Sequence, residues 1–444
     1  MSSKIVVVGM GYVGIPCAAL FARVDDFHVV GVQRKSQRSG WKIDCINQGN
    51  CPIGGVEPGL SELIAEVVGR KKFHVTDDIS TCRDAAAILI DVQTPTDSSN
   101  VPQYESLESV SASIGKYLSR ETLVVVESTV APGTTQNLVK PILEQESGLK
   151  AGVDFYLAFS FERVRPGRLL RNIISLPRIV GGINEKSSRK AFDLYSRIVK
   201  DKIYVTDCLT AETTKCVENA YRDVNIAYAN EMALLCERLG VDAYEVRTLT
   251  NTLPNVDVHE PGAGVGGHCL PKDTWLLLYG VEKYGKPENR KVQIMTGARE
   301  MNNYMPQHMA NLVRQALSEA GRKVKGARIA ILGLSFLENT DDTRNTPALP
   351  LINILEKWGA DIVVHDPHVR NSTDVNLTRD LKTAIQGSDA LALVTKHEIY
   401  SELDPDEIRS FMRTPVIIDG RNVYDRASFQ AKDIIIKSLG KSID

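Results

Sequence analysis

Short, continuous runs of apolar residues alternate with helical patterns over residues 1–207 of the chain. A strand that is buried on both faces gives a continuous apolar run, whereas a strand with one wet face alternates apolar and polar residues. The runs predict strands at residues 5–8, 28–32, 73–76, 87–92, 122–127, 155–160 and 203–206, with helices between them such as 12–23 and 60–68. This order predicts a doubly wound α/β domain on a parallel sheet.

A long helical pattern follows this domain. No glycine or proline occurs at residues 210–239, and Gly240 then stands in the position of a helix C-cap. Such a helix extends about 45 Å, which exceeds what one small domain needs, so we expect it to link two domains. Its apolar stripe could also pack against another subunit; the stripe comprises Val217, Tyr221, Val224, Tyr228 and Leu235.

The alternation of strands and helices restarts after Gly326. Apolar runs predict strands at residues 328–332, 361–365, 390–395 and 416–419, and a helical pattern covers residues 349–358. The predicted fold class is therefore α/β, with two Rossmann-like doubly wound domains joined by a long central helix.

Composition excludes several classes of function. Hydrophobic residues make up 43% of the chain and charged residues 24%, as in ordinary soluble globular proteins. The net charge of −2 gives no reason to expect nucleic acid or a membrane surface as a partner. No apolar stretch is long enough to span a bilayer, and the chain begins directly with a strand rather than a signal peptide, so we expect a cytoplasmic protein.

The eight cysteines contain no CxxC pair, and a chain of this length needs no disulfide support. Cys17, Cys216 and Cys236 lie in helical patterns and are expected to be buried hydrophobic residues. Apart from the adjacent His268 and Cys269, histidine and cysteine show no metal-ligand spacing, so no metal site is predicted.

A glycine pattern follows the first predicted strand and precedes a helix. Gly9, Gly11 and Gly14 form G-x-G-x-x-G, which permits a tight turn and the approach of a dinucleotide pyrophosphate to a helix N-terminus. The acidic residue that holds the NAD ribose should end the second strand, but Gln33 stands there. The residues that follow could face a 2′-phosphate or form a solvated basic loop; they are Arg34, Lys35, Ser36 and Arg38. NAD is the predicted cofactor, with NADP left open.

A second glycine-rich loop, residues 262–268, ends at Cys269. Pro271 follows, and proline is common in the first turn of a helix, so Cys269 is expected at or just before a helix N-terminus. The helix N-terminus stabilises negative charge and thereby favours the thiolate. A nucleophilic thiol in a chain that binds a hydride acceptor indicates an oxidation through a covalent thio-adduct.

Three further constellations have two interpretations each. Lys215 and Asn219 share one helix face and could stabilise an oxyanion, although the spacing alone favours a surface pair. Thr129 follows a strand, where it could contact a ligand or act as a helix N-cap. Glu162 could serve as a general base, but the sequence favours a loop charge paired with Arg163 or Arg165.

Taken together, the motifs resemble the UDP-glucose/GDP-mannose dehydrogenase family, nearest to its UDP-N-acetylhexosamine 6-dehydrogenase branch. The matching segments occur in family order over nearly the whole chain: VVVGMGYVGIP, QTPT at 93–96, ESTVAPGTT, FERVRPG, AETTKCVENAYRDVNIAYANE, GAGVGGHCLPKD, GLSFLENTDDTRNTP and DGRN. GVGGHC and the ENAYRDVNIA helix are more similar to the UDP-N-acetylhexosamine branch than to the UDP-glucose branch.

The resemblance implies an enzyme that oxidises a sugar C6 alcohol to a carboxylate with two nicotinamide cofactors in turn. Cys269 matches the nucleophile that carries the thiohemiacetal and thioester. Lys215 and Asn219 match the groups that stabilise the oxyanion, and Asp273 matches a carboxylate that assists deprotonation with Lys215 or a bound water. Thr129 and Glu162 match the pair that positions and activates water for hydrolysis.

The resemblance also implies binding residues, domains and partners. The implied cofactor contacts are Gly9, Gly11, Tyr12, Val13, Gly14, Gln33, Arg34, Thr94, Thr129 and Arg344. The implied substrate contacts are Glu162, Arg163, Val164, Lys215, Asn219, Arg222, Gly266 and Arg421. The implied domains are a dinucleotide-binding Rossmann domain at 1–207, a central helical dimerisation domain with the cysteine loop at 208–310, and a UDP-sugar-binding domain at 311–444. We further expect a homodimer built on the central helix and a uronic acid nucleotide for cell-surface polysaccharide.

The chain departs from the family at several contact positions. Phe161 replaces a proline, Pro166 a second glutamate of the UDP-glucose branch, Leu337 a lysine and Asn255 an arginine. The chemistry residues are retained, whereas the ligand contacts differ. Three other readings remain: the same oxidation of UDP-glucose, a two-electron dehydrogenase of the 3-hydroxyacid type, which needs no thiol, and a non-catalytic NAD-binding sensor.

Overall fold

A computed structural model describes residues 3–37, 39–286 and 292–442. Arg38, one of the residues considered for a 2′-phosphate, lies outside the described residues. The strands are β1 Ser3–Val8, β2 Phe27–Val32, β3 Phe73–Thr76, β4 Ala87–Ile90, β5 Leu123–Val126, β6 Tyr156–Phe159, β7 Arg178–Gly182, β8 Ile203–Asp207, β9 Arg328–Leu332, β10 Asp361–His365, β11 Leu377–Thr378, β12 Ala390–Leu393, β13 Val416–Asp419 and β14 Ile435–Ser438.

The α-helices are α1 Gly14–Ala22, α2 Trp41–Asn47, α3 Leu60–Gly69, α4 Glu105–Gly115, α5 Lys140–Ser147, α6 Leu169–Ser175, α7 Glu185–Tyr195, α8 Cys208–Leu239, α9 Ala243–Thr250, α10 Leu270–Tyr284, α11 Ile294–Glu319, α12 Ala348–Lys357, α13 Leu381–Ile385, α14 Glu398–Ser401, α15 Pro405–Phe411 and α16 Arg426–Gln430. A 3₁₀ turn covers Ile79–Cys82, and a π-helical turn covers Thr135–Val139. None of the helices in the described ranges is long and apolar enough to cross a membrane.

The chain divides into two compact units, and the first contains Met1–Glu218 and Lys272–Asn289. Its eight-stranded sheet has the order β3-β2-β1-β4-β5-β6-β7-β8. The β1, β2 and β4 strands are almost fully buried, as their continuous apolar sequences predict. The core packs these strands against α1 and α3 through side chains that include Val7, Ile15, Phe21, Ile64 and Leu89.

The prediction of a parallel sheet is wrong at one position, because β6 pairs with β7 in the antiparallel direction. The other pairs in this sheet are parallel. The β7 strand was not predicted, because its sequence, RIVGG, has an arginine and two glycines and lacks a continuous apolar run. This reversal matters because Arg178, the first residue of β7, belongs to the candidate site.

The second unit contains Asn219–Pro271 and Arg290–Asp444. Its six strands follow the order β11-β10-β9-β12-β13-β14 and are all parallel. Both sheets therefore contain the strand order of a doubly wound fold, and the predicted fold class is confirmed. The three-part domain division remains a prediction.

The long central helix is confirmed as α8, which covers 32 residues. Its residues up to Glu218 belong to the first unit and the rest to the second. Gly240 follows with a φ of +74°, a conformation that glycine adopts without the strain a Cβ would cause, so the predicted C-cap is also confirmed.

Candidate active site

The glycine-rich turn after β1 lies where the strand order of the first sheet reverses, between β1 and β4. A Cβ on Gly9 would overlap the carbonyl oxygen of Asp91, and a Cβ on Gly14 would overlap the carbonyl oxygen of Gly9. A Cβ on Gly11 would meet nothing within 4 Å. Two glycines therefore permit close packing, and the third leaves open space before α1, which fits the pyrophosphate of a dinucleotide.

The end of β2 is fastened to this turn. Gln33 accepts a hydrogen bond from the Met10 amide at 3.1 Å and donates one to the Ser39 hydroxyl at 3.0 Å. Lys42, which sequence reasoning missed, donates to the Met10 carbonyl at 2.9 Å. Gln33 thus orders the loop where an NAD-type acid is expected, while Arg34 lies exposed. Contact of this loop with a 2′-phosphate remains a prediction.

Thr94 and Thr129 lie together at the carboxyl edge of the first sheet. The Thr94 hydroxyl donates to the Thr129 carbonyl at 2.6 Å, and the Ser128 hydroxyl donates to the Val92 carbonyl at 2.7 Å. The alternative that Thr129 is a helix N-cap is wrong, because the following helical turn begins only at Thr135. The loop is instead held at a position where a doubly wound sheet binds ligands.

A glutamate from α8 supports the same loop. Glu212 is buried and accepts hydrogen bonds from the amides of Gly133 and Thr135 at 2.6 and 2.8 Å. Burial raises the pKa of Glu212 to about 7, although both hydrogen bonds oppose the rise. Sequence reasoning missed this residue because a glutamate within a long helix is ordinarily solvated.

Glu162 follows β6 and is buried, so its interpretation as a loop charge is wrong. Its carboxylate is bonded by the guanidinium of Arg178, which also bonds Glu127. Arg163, one of the two partners that the sequence suggested, instead forms a bidentate ion pair with Glu218. Sequence reasoning missed both Arg178 and Glu127. The only signal was that Glu127 is a polar residue at the end of the otherwise apolar strand predicted at residues 122–127.

The surroundings of Glu162 suit a proton acceptor. Burial is the largest influence and raises the pKa of Glu162 to about 7. Arg178 opposes the rise, the neighbouring carboxylate of Glu127 adds to it, and Lys215 opposes it more weakly. A carboxylate with a pKa near the working pH is an effective general base.

A metal ion does not fit this cluster. Oxygens of Glu127 and Glu162 and the sulfur of Cys17 lie within 4.8 Å of one another, which is close enough to hold an ion. However, the guanidinium of Arg178 already bonds both carboxylates. The arginine therefore supplies the positive charge that a metal would bring.

Lys215 and Asn219 are buried, with only 8% and 7% of their surfaces exposed, so the interpretation as a surface pair is wrong. The Lys215 ammonium donates to the Glu162 carbonyl at 2.7 Å and lies 5.1 Å from the centre of the Phe161 ring. Phe161 thus provides a cation–π contact where the family has a proline. Lys215 and Glu162 are brought together within the first unit.

Asp273 has a different close partner from the one expected. Lys272, its neighbour in the first turn of α10, donates to its carboxylate at 2.6 Å, and both side chains are buried. A buried ion pair needs further polar contacts to offset its desolvation, and Asp273 has at least one other interaction. The assistance of Asp273 by Lys215 remains a prediction.

The second unit holds the cysteine loop. Cys269 is exposed and directly precedes α10, which begins at Leu270, so its predicted position before a helix is confirmed. Gly264 and Gly267 have φ values of +134° and +91°, which side chains with a Cβ rarely adopt. The other cysteines are buried or half-buried, and Cys17, Cys216 and Cys236 are buried as predicted.

Two predicted binding residues lie beside this loop. The Gly267 amide donates to the carbonyl of Arg344 at 2.8 Å, and the Asn345 side chain donates to the carbonyl of Gly267 at 3.0 Å. A Cβ on Gly262 would overlap the guanidinium of Arg421. The second unit therefore brings Arg344 and Arg421 to the loop that ends at Cys269.

Asp366 anchors the segments at the carboxyl edge of the second sheet. Its carboxylate accepts from the amides of Leu334, Ser335, His368 and Val369. Burial alone would raise the pKa of Asp366, but His397 and these amides hold it below its usual range. Asp366 was not singled out in the sequence, where it is a lone aspartate after a strand.

The other residues predicted to contact a ligand lie in the glycine turn, after β6 and on α8. Tyr12 and Val13 lie in the turn between Gly11 and Gly14 and are half-buried. Val164 is half-buried, and Arg222 lies exposed on α8. Their roles in binding remain predictions.

The sequence matches three parts of one enzyme family in order. Residues 3–199 match the NAD binding domain of the UDP-glucose/GDP-mannose dehydrogenase family. Residues 209–304 match its central domain and residues 330–426 its UDP binding domain.

Relatives and solved structures agree with these matches over nearly the whole chain. A UDP-N-acetyl-D-mannosamine dehydrogenase from Pyrococcus horikoshii is 40% identical, covering 95% of this chain and 96% of the relative. A solved UDP-D-ManNAc dehydrogenase from the same organism has a TM-score of 0.91 at 37% identity, covering 99% of this chain and 100% of the other. A solved NDP-N-acetyl-D-galactosaminuronic acid dehydrogenase from Methanosarcina mazei has a TM-score of 0.87 at 43% identity, covering 99% and 96%.

Proposed function

Because the chain belongs to the UDP-glucose/GDP-mannose dehydrogenase family, we propose that it oxidises the C6 alcohol of a UDP-N-acetylhexosamine to a carboxylate through a thioester on Cys269. Membership makes it a nucleotide-sugar dehydrogenase with NAD as its cofactor and a UDP-sugar as its substrate. The observation that carries the proposal is the exposed thiol of Cys269 at the start of α10.

The substrate class rests on the relatives. The Pyrococcus horikoshii relative is named for UDP-N-acetyl-D-mannosamine and the Methanosarcina mazei structure for an N-acetylgalactosaminuronic acid nucleotide. Both are N-acetylhexosamine derivatives, so UDP-N-acetylmannosamine is the first substrate to assay and its galactosamine and glucosamine isomers come next. The product is the corresponding uronic acid nucleotide, which would feed the synthesis of a cell-surface polysaccharide.

The first half of the reaction converts the C6 alcohol into a thiohemiacetal. The glycine turn of residues 9–14 would hold NAD, and two NAD molecules bound in turn would supply the acceptors for the two C6 hydrides. Asp273 assists removal of the hydroxyl proton. Loss of this proton and of the first C6 hydride converts the alcohol into an aldehyde. The Cys269 thiolate then adds to C6, and the Lys215 ammonium and the Asn219 amide stabilise the oxyanion that forms.

The second half releases the acid. Loss of the second C6 hydride and of the hydroxyl proton converts the thiohemiacetal into a thioester of Cys269. Glu162 takes a proton from water, which attacks the thioester carbonyl while Thr129 helps to position it. The C–O bond forms, the C–S bond breaks, and the Cys269 thiolate leaves with the carboxylate free.

We also propose that two chains associate through α8. Four of the five side chains in the predicted apolar stripe of this helix are exposed: Val217, Tyr221, Tyr228 and Leu235, with 43%, 64%, 59% and 51% of their surfaces accessible. A stripe of this kind on a monomer supports an interaction surface, and self-association about a two-fold axis is the commonest form of assembly.

The decisive experiment incubates the protein with NAD or NADP and a panel of UDP-sugars and counts the reduced cofactors formed per sugar consumed. We expect two per UDP-N-acetylhexosamine, with the Cys269→Ser variant failing to turn over. A preference for UDP-glucose would favour the first alternative substrate. Normal turnover by Cys269→Ser would indicate a two-electron dehydrogenase, and cofactor binding without turnover would indicate a sensor.

A further inference from the structure

Arg178 occupies the centre of a buried charge cluster in the first unit. Its Nε donates to the Ser160 hydroxyl at 2.8 Å, and one Nη donates to the Ser160 carbonyl at 3.2 Å. The two Nη groups bond the carboxylates of Glu162 and Glu127. The guanidinium carbon lies 3.5 Å from the centre of the Tyr195 ring. All three guanidinium nitrogens therefore donate hydrogen bonds, and only 4% of Arg178 is exposed.

Glu127 bonds the second Nη of the same guanidinium, next to Glu162. Its carboxylate accepts the Tyr195 hydroxyl at 2.6 Å, and the Cys17 thiol lies 3.8 Å from the same oxygen. Burial raises the pKa values of Tyr195, Cys17 and Asp91 well above their usual ranges, which favours their neutral forms. The charged and titratable groups that face Glu162 in this unit are Arg178 from β7, Glu127 after β5, Lys215 from α8, Asp91 after β4 and Cys17 from α1.

We propose that Arg178 is the positioning residue for Glu162 in the hydrolysis of the thioester, with Glu127 sharing the same guanidinium. This inference rests on the proposed function, because it needs Glu162 to act as the base. A planar guanidinium holds one carboxylate oxygen of Glu162 in a single direction, which leaves the other oxygen to meet water. Lysine lacks this fork and cannot bond Glu162, Glu127 and Ser160 together in the same geometry.

The shared guanidinium also sets the proton affinity of Glu162. Glu127 competes for the positive charge and repels Glu162, so its removal should let Glu162 ionise more easily. Removal of Arg178 leaves both carboxylates uncompensated and should make Glu162 ionise less easily. The two changes therefore have opposite signs, which a role in packing alone does not predict.

The experiment compares Arg178→Lys, Arg178→Gln and Glu127→Gln with the unmodified protein under single-turnover conditions, with UDP-N-acetylmannosamine and NAD. Reduced cofactor is followed optically, and the acylated protein is followed by intact mass after quenching. The rapid formation of reduced cofactor counts the competent sites, so misfolded protein does not enter the rates. Arg299→Gln is the matched control, because Arg299 forms a buried ion pair with Asp223 at 2.5 Å in the second unit.

We expect Arg178→Lys to slow decay of the acylated protein about a hundredfold per competent site, because small misplacements of a catalytic group have effects of that size. The pH below which the hydrolysis rate declines, the acid limb of its pH profile, should be lower in Glu127→Gln and higher in Arg178→Gln. Arg299→Gln should change neither the hydrolysis rate nor the position of this limb. Unchanged hydrolysis and an unchanged limb in all three variants would overturn the inference. If the unmodified protein never acylates, the proposed function itself fails.

Discussion

At the scale of single residues, burial changes what Glu162 and Lys215 can do. Both lie on segments whose sequence suggests ordinary solvated charges, yet both side chains are buried and in one cluster. A carboxylate removed from water favours its neutral form, and nearby cations restore part of its charge. The balance leaves Glu162 with a pKa of about 7, where it exchanges protons readily with water.

This balance predicts the pH dependence of thioester hydrolysis. The base acts only when it is deprotonated, and its pKa is raised from the usual range to about 7. The hydrolysis rate should therefore rise with pH, reach half of its maximum near pH 7, and fall about tenfold per unit below that point.

The measurement is the decay of the acylated protein in quenched samples across pH. Glu162→Gln should retain formation of two reduced cofactors per site but hydrolyse slowly, with no acid limb near pH 7. A limb that persists unchanged in Glu162→Gln would assign the titration to another group.

The sequence identifies the chemical groups of this site but not their partners. Cys269, Lys215, Asn219 and Glu162 occur within motifs, so their types and spacing suggest chemistry. Arg178 lies 16 residues from Glu162 and 51 from Glu127 along the chain, and only the antiparallel entry of β7 brings it to both. Pairings of this kind depend on tertiary structure, which local patterns do not encode.

The departures from the family pattern are partly explained by conformation. Asn255 is exposed and has a φ of +70°, a left-handed conformation that asparagine tolerates better than most residues with a Cβ, arginine included. Leu337 uses its carbonyl to accept from the hydroxyls of Ser335 and Thr340, so its backbone still orders the loop. Nothing in the structure explains Pro166.

At the scale of elements, the glycine turn after β1 separates packing from binding. Gly14 has no room for a methyl group, whereas Gly11 has open space around it. We predict that Gly14→Ala destabilises folding by about 3 kcal/mol, because added atoms in a packed site force the backbone apart. Gly11→Ala should change stability by less than about 0.5 kcal/mol but weaken NAD binding about tenfold, because its methyl enters the space proposed for the pyrophosphate.

Denaturant unfolding gives the stability change, and calorimetric titration of the purified variants with NAD gives the affinity. The two variants serve as controls for each other, since both replace a glycine with alanine in one turn. Tight NAD binding by Gly11→Ala would contradict the placement of the pyrophosphate.

Elements with continuous apolar sequences were predicted closely, and those without were not. The predictions for residues 328–332 and 416–419, where the apolar runs are IAIL and VII, equal β9 and β13. The β7 and β14 strands were missed, since RIVGG and IIKS mix apolar residues with polar residues or glycine. Short strands of mixed composition form because neighbouring strands supply their hydrogen-bond partners, which the local sequence does not reveal.

At the scale of the whole molecule, the family assignment from the sequence motifs is confirmed by matches that run from residue 3 to residue 426. The motifs succeeded because they cover both sheets and the long helix rather than a single loop. Assembly is harder to predict from the sequence, because an apolar stripe on one chain does not identify the surface that packs against it.

We predict that the paired substitution Tyr221→Glu and Tyr228→Glu converts a dimer into monomers. Both side chains are exposed on α8, so glutamate costs little in the isolated chain, whereas a charge buried in an apolar interface is costly. Sedimentation should show half the mass with unchanged secondary structure. Tyr204→Glu on β8 is the matched control, since Tyr204 is also exposed. A dimer that survives the double substitution would exclude this face.

The arginine that bonds two glutamates also constrains how this enzyme can diverge. Replacing Arg178 alone leaves the buried carboxylates of Glu127 and Glu162 without their shared cation, which typically destabilises a protein by about 3–5 kcal/mol, whereas joint replacement of all three by uncharged residues is much milder. The three positions should therefore show strong epistasis. A lineage that loses hydrolysis would have to pass through destabilised intermediates or change all three residues together. Related sequences should therefore retain or lose the three residues as a set.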